Sequence, residues 1–95
     1  PEDARLKRQQ AAQKREQLRP LKKQIEKLEK QLQDGSRQLD DIEQQLADES
    51  LYQPDRKTDL QQLLAAQAST QKQQAQREEQ LLDAMEQLEA LETSS

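Results

Sequence analysis

Leucine and isoleucine recur along the first half of the chain with a fixed beat. Leu18, Leu21, Ile25, Leu28, Leu32, Gly35, Leu39, Ile42 and Leu46 follow one another at alternating intervals of three and four. That alternation is the a/d pattern of a heptad repeat, which lines up every member on one stripe of an α-helix. Gly35 is the only member without an aliphatic side chain. Asp34-Gly35-Ser36 has the composition of a turn, yet Leu32 and Leu39 stay seven residues apart. A turn would reset that phase. The pattern therefore predicts a helix running through Gly35, at a cost of about 1 kcal/mol relative to Ala.

The beat stops at Glu49-Ser50-Leu51-Tyr52-Gln53-Pro54-Asp55. Proline fixes its own φ, lacks an N–H and disfavours helical geometry at the residue before it. Pro54 followed by acidic Asp55 marks a helix start near residues 54 to 56. A second helix is expected over about 56–92, apolar near Leu60, Leu63 and Leu64 and again from Leu81 to Leu91, with a polar middle. Setting Leu46 opposite Leu60 brings Ile42 to Leu64, Ile25 to Leu81, Leu21 to Met85, Leu18 to Leu88 and Gly35 to Gln71. One register matches both apolar ends. The expected fold is thus all-α, a two-helix antiparallel coiled-coil hairpin. Helix 1 covers about 20–48, residues 49–55 form the apex, and the polar middle is the least stable stretch. Residues 1–19 are a basic helical lead-in, joined at Pro20 by a kink in one long helix rather than a restart. Thr93-Ser94-Ser95 should fray.

Composition rules out most alternatives. Only 31% of the 95 residues are hydrophobic, against 36% charged, and Tyr52 is the single aromatic. Such a chain cannot fill a globular core, but its abundant Gln, Glu, Lys, Arg, Ala and Leu suit long helices sharing a narrow seam. With no Cys and no His, disulfides, thiolate nucleophiles, zinc fingers and imidazole catalysis are excluded. No phosphate-cradling glycine motif is present, the longest apolar run is Leu63–Ala66, and no secretory signal is visible. The chain is read as carrying no catalytic site, metal or cofactor of its own, with no membrane or small-molecule partner and a cytoplasmic setting. It begins at Pro1 without an initiator Met, as a piece of a longer protein would.

Charge changes the picture more. The net charge is −4, yet residues 4–30 hold ten Lys or Arg against three Glu, a local balance of +7; residues 31–62 carry −5 and 63–95 carry −4. Arg19, Lys23, Lys27 and Lys30 fall away from the seam, with Arg15 and Lys22 beside them. An exposed cationic stripe suits phosphate backbones without regard to sequence; the plainer reading is a solvated face with i,i+4 pairs such as Glu26–Lys30. At the apex, Leu51 and Tyr52 are expected to plug the hairpin end, the alternative being contact with a partner through an exposed tyrosine.

Three stretches carry a resemblance: "LRPLKKQIEKLEKQL" in the basic helix, "LADESLYQPDRKTDLQQLL" at the apex and "LLDAMEQLEAL" near the end. Together they resemble the C-terminal arm of ABC-F ATPases, the YheS-like branch in particular, over about Ala4 to Leu91. Where many members carry an aromatic, Leu81 and Leu82 stand here. The resemblance implies a parent with two ATP-binding cassettes, using ATP and magnesium held outside this chain and acting on ribosomes during translation. In the related Uup-like branch the arm is similar to a DNA-binding coiled coil. The function expected from residues and resemblance together is an accessory arm touching DNA or ribosomal RNA through Arg15, Arg19, Lys22, Lys23, Lys27 and Lys30. The alternative is a purely structural or protein-docking coiled coil.

Overall fold

A computed structural model describes residues 2–94. They form an all-α helical hairpin, a rod of 79 × 15 × 15 Å. Helix α1 spans Glu2–Leu46, two short 3₁₀ turns cover Glu49–Tyr52 and Pro54–Arg56, and helix α2 spans Lys57–Thr93.

α1 is continuous through both suspected interruptions. Pro20 lies inside it and is exposed, so the lead-in and the hairpin share one helix. The ring costs one backbone hydrogen bond on the solvent side, where the facing carbonyl keeps access to water. Gly35 also stays in the helix, with no positive φ. The shielded residues of α1 are those of the sequence stripe, joined by Lys14 and Gln31; Leu18, Ile25, Leu28, Gly35 and Ile42 are buried.

α2 departs from expectation in register. Its shielded residues are Leu60, Leu63, Gln67, Thr70, Gln74, Arg77, Leu81, Ala84, Leu88 and Leu91. Leu64 and Met85, expected to face Ile42 and Leu21, are 48% and 43% exposed. Gly35 meets Gln74 instead of Gln71: a Cβ at Gly35 would collide with the Gln74 carboxamide. The Gln74 Nε2 donates to Leu32 O at 3.0 Å and to Ser36 Oγ at 3.4 Å. The physical reason is steric: the gap at Gly35 takes the long Gln74 side chain rather than Gln71, a shift of three residues that turns Leu64 and Met85 out of the shielded stripe.

The apex is built from local hydrogen bonds. Asp48 caps the first 3₁₀ turn, accepting from Ser50 N at 3.0 Å and Ser50 Oγ at 2.9 Å. Leu51, 1% exposed, is the plug. Tyr52 is not enclosed: it is 59% exposed, and its hydroxyl donates to Leu46 O at 2.7 Å. Arg56 ties the two turns together through Ser50 Oγ (3.2 Å) and Asp59 (3.2 Å). At the other end Lys14 Nζ donates to Glu92 O (2.9 Å) and Ser94 O (2.7 Å). A cation there answers the unpaired carbonyls and negative dipole end of α2. Thr93 and Ser94 are tied down as well, by side-chain bonds to Glu89 O and Leu91 O; Ser95 lies outside the described residues. Because Lys14 marks the end of α2, residues 2–13 of α1 run on past it, about 18 Å at 1.5 Å per residue.

Candidate nucleic-acid interface

All six candidate cations are exposed, but α1 does not gather them equally. Arg15, Arg19, Lys22 and Lys23 surround one shallow hollow of about 390 Å³ floored by Leu18, with Glu26 at its rim. Intervals of four, three and one put them on adjoining rows of one helix flank. Lys30 belongs to a neighbouring hollow with Glu26, Glu29 and Gln33. Lys27 lines neither; its phase turns it toward the opposite flank.

Along that flank the charge changes sign. Arg8, Arg15 and Lys22 are seven apart and in line, and Glu29 is next; Arg19 is followed in the same way by Glu26. The cationic surface is therefore densest over 15–23 and gives way to acid beyond it. Arg19 pairs with Glu16 at 3.1 Å, both mostly solvent-exposed, a contact of little strength in water. A polyanion could take over that partner at small cost.

One feature of the surface lay outside the sequence reading. Lys14 is spent on the end of α2, which no local pattern announces because its partners lie 78 and 80 residues away. The Gln74 carboxamide enters the seam at the one place where glycine leaves room, and its Oε1 is buried without a hydrogen-bond partner. The signal for that pairing was present: a gap in one heptad and a long polar residue in the other.

The electrostatics of the apex contrast with the base. The Asp48 carboxyl is held below its ordinary range, first by the Ser50 N–H, then by the Ser50 hydroxyl, and more weakly by the Arg56 charge. Glu49 and Asp55 are exposed beside it, within the stretch 31–62 that carries a net −5.

Among the described residues no three His, Cys, Asp or Glu side chains gather to hold a metal. The single glycine is buried in the seam, not in a phosphate-cradling loop. No helix among them is long and apolar enough to cross a membrane. Comparison with protein families, characterised proteins and solved structures returns no match to this chain.

Proposed function

We propose that the hairpin is an antiparallel coiled coil serving as the accessory arm of an ABC-F ATPase, and that it touches the phosphate backbone of DNA or ribosomal RNA in translation or ribosome association. The coiled-coil part rests on the two stripes. Carrying the Gly35–Gln74 pairing along both helices sets an a position of one against a d position of the other at every layer, with Ile25 opposite Ala84 and Leu28 opposite Leu81. ATP hydrolysis belongs to the cassettes that the resemblance implies.

The observation that carries the nucleic-acid reading is the cluster of Arg15, Arg19, Lys22 and Lys23 around one open hollow in a chain of net charge −4. Charge of this kind binds by releasing condensed counterions, with a log–log salt slope of roughly −0.9 per phosphate on duplex DNA. Three or four contacts give weak binding with little sequence preference. The test is fluorescence anisotropy of a labelled duplex across a salt series. Replacing Arg19, Lys22 and Lys23 with Glu should abolish binding and flatten the slope while circular dichroism stays unchanged, since these positions are exposed and Glu is a good helix former. Replacing Lys27 and Lys30 should cost far less. A parent with no salt-dependent binding, or a triple variant that binds as well, would leave the protein-docking hairpin as the better account.

A further inference from the structure

α2 carries more apolar surface than its seam uses. Leu64, Leu82 and Met85 are 48%, 61% and 43% exposed, and Ala68 and Ala75 are exposed too. These are not scattered. The intervals from 64 to 68, 71, 75, 78, 82 and 85 run four, three, four, three, four, three, which is a second heptad stripe on α2. It lies about a quarter turn from the stripe that faces α1. Its members read Leu, Ala, Gln, Ala, Glu, Leu, Met.

That order is nearly its own mirror image about Ala75. Laid antiparallel on an identical helix, Leu64 meets Met85, Ala68 meets Leu82, and Gln71 meets Glu78, an amide donor against a carboxylate acceptor. The small Ala75 meets itself on the twofold axis, where close approach of the backbones is needed. An isologous contact requires this kind of self-complementary patch. The charge distribution agrees. An antiparallel second copy lays residues 15–30, with six Lys or Arg against three Glu, along the apex half of the partner, within its −5 stretch of residues 31–62, whereas a parallel copy would set like against like.

We propose that two copies of this chain associate through the Leu64–Met85 stripe of α2, antiparallel and about a twofold axis at Ala75, to form a four-helix assembly. The contact is made on the flank of α2 and leaves each hairpin intact. It goes beyond the nucleic-acid reading and stands or falls without any nucleic acid present.

Sedimentation velocity of the 95-residue chain across a wide concentration series tests it. The apparent mass should rise from the 11.1 kDa of one chain toward twice that value, and should fall back as salt is raised. Replacing Leu82 and Met85 with Gln should hold the chain at monomer mass with helicity unchanged, since neither lies in the α1 seam. Geometry is read separately by thiols, because the chain has no cysteine. Ala75→Cys should form an interchain disulfide on mild oxidation. Ala68→Cys should do so only when mixed with Leu82→Cys. A monomer at every concentration, a dimer that survives the Leu82/Met85 change, or ready self-linking of Ala68→Cys without linking of Ala75→Cys would each overturn the proposal.

Discussion

The apex and the middle of the rod both bring polar side chains to backbone carbonyls, but with different results. At the apex every bond is made over a few residues: Asp48 to Ser50, Tyr52 to Leu46, Arg56 to Ser50 and Asp59. Beneath them sits Leu51, almost wholly enclosed. In the middle, Gly35, Thr70 and Gln74 replace aliphatic packing, and the long-range amide bonds, to Leu32 O and more weakly to Ser36 Oγ, leave Oε1 of the same group unanswered. The apex gains stability from burial and satisfied hydrogen bonds. The middle gives up some stability, and its single matched notch opposes every other alignment of two otherwise repetitive helices. Stability and register are thus supplied by different residues.

The sharpest way to break this contrast is to empty the apex. Leu51→Ala should cost about 3 kcal/mol, within the range for enclosed leucines, while the same change at half-buried Leu39 should cost clearly less. Equal losses in denaturant midpoint would show the apex to be no better packed than the middle. The next effect is smaller and concerns the notch. Gly35→Ala gains about 1 kcal/mol of helix propensity but evicts the Gln74 carboxamide, losing a bond of similar worth, so alone it should be nearly neutral. Combined with Gln74→Ala, the propensity gain should survive, and the double variant should exceed the sum of its parts by about 1 kcal/mol. Strict additivity would mean that the amide is not lodged there in solution. The smallest effect is titration of the cap. The Asp48 carboxyl is lowered in the folded chain, so its contribution is present above its ordinary 3.8 and is lost as pH falls through the lower folded value. Asn also caps but does not titrate there. Asp48→Asn should therefore flatten the acid limb of the stability curve slightly. An unchanged limb would mean that Ser50 does not favour the charged form.

α1 was legible because its residues speak to one face only. Its nine-member stripe, its passage through Gly35 and the chain reversal at Pro54 all follow from spacing and from proline chemistry. α2 was legible as a helix, expected over about 56–92 and spanning Lys57–Thr93, but not as a surface. Adjacent leucines at 63–64 and 81–82 offer two phases at each end, and a polar stretch between them gives no vote. The choice depended on Gln74 fitting beside Gly35, a shape match that hydrophobicity does not encode. For the same reason the basic residues could be counted but not sorted. That Arg15, Arg19, Lys22 and Lys23 share a hollow while Lys27 points elsewhere depends on the angle each takes around α1.

Lys14 has a consequence for how the rod comes apart. The apex is closed by the chain itself, and at the far end this lysine clasps the last carbonyls of α2. A zipper with one free end frays from that end. A ladder clamped at both ends opens as a bubble, and the bubble forms where the rungs are weakest, around Thr70, Gln74 and Arg77. Local melting then bows the two helices apart in the interior while the basic base and the acidic tip keep their shapes.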